Sequence, residues 1–267
     1  MEYITYLQES IINGQIFRWP ENCFPLKFYV APFRWYAQSG NDSYKYQYLV
    51  HRALKEWEKA SNGKIRFKIV NTINESQINL DWKRVDRRAL GHCYIHRDKA
   101  PIMYDATVEI GLSDGLLHSQ YMDENEVYHT ILHEIGHALG LGHSPYETDI
   151  MYTPHKYGVV SLSKRDAASI QWLYRLSLGT SPEELGKKYG ISSHNIDEVI
   201  FKMTNMDKKS QFEEVKDSIQ IPQKDLMNEQ DKIAELKKYN LGLQNIQISQ
   251  NVQDYIKKNM TMNKDKK

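Results

Sequence analysis

The sequence predicts an α+β fold: a five-stranded sheet, two long helices, a third closing helix and a small helical appendage at the C-terminal end. Three observations carry this reading. Apolar runs of strand length recur five times in the first half of the chain. Longer segments with apolar residues at three- and four-residue intervals interrupt and follow them, and the composition changes near Leu178. With 267 residues, 40% apolar, 26% charged and 11% aromatic, the chain has room for one large domain or a medium one with an appendage, and it is too apolar for wholesale disorder.

A lead segment, residues 1–19, comes first. Met1 to Ser10 carries Glu2 and Glu9, has no positive charge before Arg18, and lacks the apolar core that a signal peptide needs. Strands are expected at Leu26 to Val30, Ile65 to Val70, Ile78 to Trp82, Leu90 to Ile95 and Thr107 to Leu112. Between the first two, Tyr44 to Ala60 places Val50, Ala53, Trp57 and Ala60 on one helical face, and Asn62-Gly63 supplies the stop. A second helix runs from Asp123 to Leu139, with Glu124 and Glu126 at the positive end of its dipole and Gly140 after it. The third begins at Ser163, whose partner Asp166 stands three residues on in capping-box fashion, and continues through Ala167, Ile170, Leu173 and Tyr174.

These elements make up an expected domain over residues 20–178. All five tryptophans, both cysteines and every arginine lie within or before it, whereas residues 179–267 draw their positive charge from lysine alone. In that appendage Ser181-Pro182-Glu183-Glu184 starts a helix and Gly190 stops it, while Leu185, Ile196, Val199, Ile200 and Met203 are spaced to cover a helical face. The two short helices around Gly190-Ile191-Ser192 also admit a helix-turn-helix or wall-binding reading. The appendage is expected to be dispensable for chemistry, and its last residues to be disordered.

Lys plus Arg total 35 against 34 for Asp plus Glu, so a net charge of +1 provides no field for gathering nucleic acid or an anionic membrane. The basic run Lys232 to Lys238 alternates with Asp231 and Glu235 and reads as a solvated face. No stretch approaches the ~18 apolar residues of a membrane span, and the mean hydropathy of -0.65 agrees. Cys23 and Cys93 are too few for a disulfide framework and lie outside any CxxC pair, so both are expected as free thiols.

The informative stretch is His133-Glu134-Ile135-Gly136-His137-Ala138-Leu139-Gly140-Leu141-Gly142-His143-Ser144. On a helix, His133 and His137 project from one face and can bind the same ion. Glu134 lies roughly 100° around, beside the metal, where it can take a proton from a water there. A catalytic zinc needs a third protein ligand and an open position. His143 can be that ligand if the chain turns sharply, and Gly140 can take the left-handed conformation such a turn demands.

The pattern HExxHxxGxxH resembles the metzincin metallopeptidases, and Asp149-Ile150-Met151-Tyr152 supplies their later methionine turn. Within that clan the likeness is to matrixins. His133 to Ser144 satisfies their HExGHxLGLxHS helix, and Met151-Tyr152-Thr153-Pro154 looks like their MYxP turn. Leu162-Ser163-Lys164-Arg165-Asp166 and Ile170-Gln171-Trp172-Leu173-Tyr174 are similar to their closing helix, and Phe24-Pro25-Leu26-Lys27-Phe28 to their first strand.

The resemblance covers about residues 20 to 176. It implies a metzincin-like catalytic domain with one catalytic Zn2+ on His133, His137 and His143, Glu134 as general base, and Met151 as the floor beneath the imidazoles. It also implies a protein or peptide substrate lying extended along the edge strand Leu90 to Tyr94, and an apolar side-chain pocket walled by Tyr152 to Ser161. The family further suggests an extracellular setting.

Departures are visible too. Arg175 replaces the family's closing glycine, and the activating PRCGxPD cysteine motif is absent. His92 matches one histidine of the second, structural zinc site of animal matrixins, but Met103 stands near the place of another and His96-Arg97-Asp98 follows the strand instead of preceding it. Nothing in the sequence therefore supports a second Zn2+ or a structural Ca2+. The expected function is a zinc metalloendopeptidase. The rival is a catalytically idle metal-containing binding protein whose helical tail recruits a partner, and the presence of Glu134 beside an open position speaks against it.

Overall fold

The computed structural model describes residues 2–33, 41–84, 90–97, 102–112 and 123–218. Its main sheet contains β3 (Leu26–Val30), β4 (Phe67–Ile69), β5 (Ile78–Arg84), β6 (Gly91–Arg97) and β7 (Met103–Leu112), preceded by a two-stranded ribbon of β1 (Ile11–Ile12) and β2 (Gln15–Ile16). The main sheet runs β4-β3-β5-β7-β6, parallel throughout except for β6, which pairs antiparallel with β7 at one edge. The helices are α1 (Asn41–Ala60), α2 (Glu124–Ala138), α3 (Lys164–Leu173), α4 (Pro182–Lys188) and α5 (Ile196–Ser218). The α+β architecture expected from the sequence is therefore present.

Each element follows from local chemistry. Parallel β3 and β4 need a crossover, and α1 supplies it, burying Leu49, Val50, Ala53, Leu54 and Trp57 completely or almost so. β7 is longer than its apolar run: Ala106 extends the alternation, and Met103 is buried beyond a break in it, with Tyr104 exposed and Asp105 half-buried between the two. On α2, the Asp123 carboxylate accepts from the Asn125 amide at 2.8 Å, and on α3 the Ser163–Asp166 capping box forms as expected. The α4 cap pairs Ser181 with Glu184 in the same way.

The packing divides the chain at a different place from the change in composition. Residues Met1–Lys209 form one compact unit and Ser210–Lys267 another, so neither residue 20 nor Leu178 marks a change of packing. The lead segment belongs to the core: Leu7, Ile16 and Trp19 are fully buried, and Tyr6 and Phe17 nearly so. Its apolar residues are too scattered to form a periodic run, but Asn13-Gly14 gives the turn chemistry that closes β1 onto β2, with φ of 52° and 79°. Downstream, Ile196 and Ile200 enter the same core, while Ile191, Val199 and Met203 form a small cluster of their own against Trp172 and Leu185. The run Lys232 to Lys238 and the terminal residues lie outside the described part. Among the described residues, no helix is long and apolar enough to cross a membrane.

Candidate metal centre and active-site cleft

Helix α2 sets the site. Its buried face carries Val127, Tyr128, Ile131, Leu132 and Ile135, which leaves His133 and His137 one turn apart on the side that faces the cleft. Gly140 ends the helix at φ 96°, with the Gly140 amide donating to the His137 carbonyl at 2.8 Å and the Leu141 amide to the Gly136 carbonyl at 3.1 Å. This is the left-handed reversal that a third histidine requires. Two aromatic side chains satisfy carbonyls at the same end: Trp19 Nε1 donates to Ala138 at 2.7 Å and the Tyr174 hydroxyl to Leu139 at 2.9 Å.

The reversal brings His143 back to the helix. One ring nitrogen from each of His133, His137 and His143 lies within 4.8 Å of the others, a grouping that could hold a metal ion. The Nδ1 of His133 donates to the Ile150 carbonyl and the Nδ1 of His137 to the Leu141 carbonyl, both at 2.8 Å, which fixes the tautomers and leaves the two Nε2 lone pairs facing each other 3.1 Å apart. Lone pairs so placed suit a shared cation. Burial, first, and the neighbouring imidazoles hold His133 down at about 3, and burial holds His137 at about 4, so both imidazoles are neutral at neutral pH.

The support reaches further. The Ile150 carbonyl that orients His133 belongs to a turn whose own Ile150 amide donates to Asp166 at 2.9 Å, and Asp166 also accepts from the Tyr6 hydroxyl at 2.6 Å. Met151 follows directly, fully buried, with its sulfur under Gly136. Asp149 is held by Arg165 and accepts from the Ser144 hydroxyl at 2.6 Å, tying the methionine turn to the segment after His143.

Glu134 lines the same cleft and is 6% exposed. Burial pushes its carboxyl up to about 8. It reaches the cleft because Gly91 of β6 has no side chain: a Cβ there would stand 2.7 Å from Glu134 Cγ. The cleft measures about 620 Å3, and the half-buried side chains of β6, Cys93 and Ile95, form its wall opposite α2. Burial, assisted by Glu134, pushes the Cys93 thiol up, so it stays protonated.

Sequence reasoning missed three contributors. His129 and His155 line the cleft with ring centroids 4.1 Å apart, and behind them Glu126 is hydrogen-bonded to His155 Nε2. His129 donates from Nδ1 to the Val159 carbonyl at 2.6 Å. Thus Glu126, expected only as a first-turn carboxylate at the positive end of the α2 dipole, is 3% exposed and holds the loop after the methionine turn. The signal for His129 was its position four residues before His133, on the same face. Of the residues weighed for a second metal, His92 stacks on Tyr94, His96 pairs with Asp105 at 3.0 Å, and Asp98 lies outside the described part.

Comparison with known proteins agrees with this geometry. The matrixin peptidase family profile matches residues 26–175, more than half of the chain. The chain belongs to the matrixin family. The metal of matrixins is a catalytic zinc, and the grouping of His133, His137 and His143 is suited to it. The chain is 29% identical to a putative matrix metalloproteinase of Heliothis virescens ascovirus 3e over an alignment of 161 positions that covers 52% of the chain. It is 49% identical over 55 residues, 20% of its length, to the probable matrix metalloproteinase 095L of Invertebrate iridescent virus 3. To matrix metalloproteinase-A of Caenorhabditis elegans it is 29% identical over 89 residues, 32% of its length. The matched stretches span 34%, 14% and 16% of these relatives, so this matrixin chain matches about a third of their length at most.

Proposed function

We propose that the chain is a zinc-dependent metalloendopeptidase in which His133, His137 and His143 hold the metal and Glu134 is the general base. The observation that carries this reading is the three-histidine group and the Glu134 carboxylate in one cleft beside the antiparallel edge strand β6. A zinc ion held there supplies Lewis acidity, polarising a peptide carbonyl and acidifying a water. Glu134 accepts the proton of the attacking water on a carboxylate oxygen and delivers it to the departing amine. Its burial keeps that carboxyl basic enough for the first transfer, and a cation held by the three histidines would lower its proton affinity again for the second.

The peptide lies extended and antiparallel along β6, pairing main chain to main chain. Alternation along β6 leaves His92 and Tyr94 exposed, with Cys93 and Ile95 half-buried between and after them. The side chain next to the scissile bond enters the pocket between Tyr152–His155 and His129. That pocket mixes Pro154 and Tyr152 with two imidazoles, so it favours a residue with an apolar stem and a hydrogen-bonding end over a purely aliphatic one.

The test is cleavage of a peptide library by the purified chain. Turnover that is abolished by a chelator, restored by zinc and lost in His133→Ala supports the reading. A zinc-replete chain that leaves every peptide intact removes it.

A further inference from the structure

The third histidine is held differently from the other two. His133 and His137 direct Nδ1 at backbone carbonyls of the family-matched region. His143 instead faces Glu9, seventeen residues before that region begins. Its amide donates to Glu9 Oε2 at 2.8 Å, and its Nδ1 lies 3.6 Å from the same oxygen, within ion-pair distance. The approach is built in on both sides: a Cβ on Gly142 would stand 2.3 Å from Glu9 Cβ, and the Gly142 amide donates to the Ser10 hydroxyl at 3.3 Å.

Glu9 is itself fixed from behind. Asp197, 4% exposed, accepts from the Leu7 amide at 2.6 Å, the Gln8 amide at 3.0 Å and the Thr5 hydroxyl at 2.7 Å. In return, the Ile196 amide donates to the Gln8 side chain at 3.0 Å. Leu7 is fully buried and the Tyr6 hydroxyl donates to Asp166, the residue that also holds the Ile150 turn. One buried carboxylate, Asp197, therefore fixes the three residues that set where Glu9 points. The residues on both sides of this relay, 5–9 and 196–197, lie outside the matched stretch.

We propose that Glu9 is a positioning residue for the metal site: it orients His143 as the third ligand, and Asp197 fixes the segment that carries it. Resting on the reading of His143 as a ligand, this makes the segments flanking the matched domain part of its metal centre. The physical reason is the conformational freedom of His143. It lies beyond the helix, and its side chain is 41% exposed. Without an outer partner, the chain must order that side chain at the moment of binding, whereas His133 and His137 are already set by α2.

The test compares zinc affinity of the full chain, by competition against a chromophoric chelator, for the parent, Glu9→Ala, Glu9→Gln and His143→Ala. Outer partners of metal-bound histidines are typically worth ~10- to 100-fold in affinity. Because Glu9 is exposed, Glu9→Ala is expected to weaken zinc about tenfold. Glu9→Gln, which keeps an oxygen for the His143 amide but loses the charge facing the ring, should fall between it and the parent. Cobalt substitution gives a readout independent of turnover: the visible spectrum of Glu9→Ala should lose intensity as His143 disengages, and recover in excess metal.

If both Glu9 variants bind zinc like the parent while His143→Ala loses it, the role of Glu9 is overturned and the three-histidine site stands. If His143→Ala binds zinc like the parent, the ligand assignment itself fails. Folding does not confuse the outcome. The Glu9 side chain is 61% exposed, and metal-free melting curves of the Glu9 variants should coincide with that of the parent. A tenfold loss of affinity with coincident curves assigns the effect to the site.

Discussion

Met151 lies directly against Gly136: a Cβ on that glycine would stand 2.3 Å from the Met151 sulfur and 3.0 Å from Trp57 Cζ2. The contact joins three elements, because Gly136 lies on α2 between the two helical histidines, Met151 follows the carbonyl that orients His133, and Trp57 of α1 donates to the Leu132 carbonyl at 3.1 Å. The glycine is thus required by volume, not by backbone conformation. Gly136→Ala should lower stability by about 1–3 kcal/mol, as overpacking of a close-packed site does. It should also weaken zinc by displacing the Ile150–Met151 turn. Denaturant titration with unchanged midpoint would refute this.

Glu134→Gln should retain zinc and lose activity by ~100- to 10,000-fold, since an amide cannot accept the water's proton. The neutral side chain suits the buried site at least as well as a carboxylate does, so stability should not fall. A metal-replete variant with near-normal turnover would take Glu134 out of the mechanism.

The metal-free chain should be most stable near pH 6.5. Burial holds His129 and His137 at about 4 and His133 at about 3, all below their ordinary value of 6.5. Below pH 6.5 the unfolded chain takes up three protons that the folded chain refuses until pH approaches 4, so stability falls across that window. Glu134 acts oppositely: raised by burial to about 8, it binds a proton in the folded state first, which adds stability as pH falls from 8 towards its ordinary 4.5. Three histidines outweigh one carboxyl below 6.5. Melting temperatures of the chelator-treated chain at pH 8, 6.5 and 5 should therefore pass through a maximum, and a monotonic rise towards acid would contradict the burial of these imidazoles.

His155→Leu should shift cleavage towards larger aliphatic residues after the scissile bond, because it removes an imidazole from the pocket and releases Glu126 from its partner. The readout is the ratio of kcat/KM for paired peptides differing at that position only. An unchanged ratio would place the side-chain pocket elsewhere.

A chain ending at Leu178 should lose several kcal/mol of stability relative to the full chain. The shorter chain strips Ile196 and Ile200, both fully buried, each worth ~1.5–3 kcal/mol, and removes the acceptor of Leu7, Gln8 and Thr5. Equal unfolding midpoints for the two would show that the composition change at Leu178, after all, marks an independent boundary.

The sequence by itself determined whatever depends on near neighbours. The i, i+4 spacing of His133 and His137, the left-handed Gly140, the caps at Asp123, Ser163 and Ser181, and the alternation of the strands are all local, and each is present in the fold. Only the tertiary structure decided what holds these parts in place. That Glu9 faces His143, that Asp197 fixes the segment before Glu9, that Gly91 makes room for Glu134, and that His155 meets Glu126 are contacts across 29 to 192 residues of chain. No periodicity encodes them. Local spacing fixes which side chains share a helix face because the backbone repeat is constant, whereas long-range partners depend on how the buried surfaces of whole elements fit together, and that fit is a property of the folded core alone.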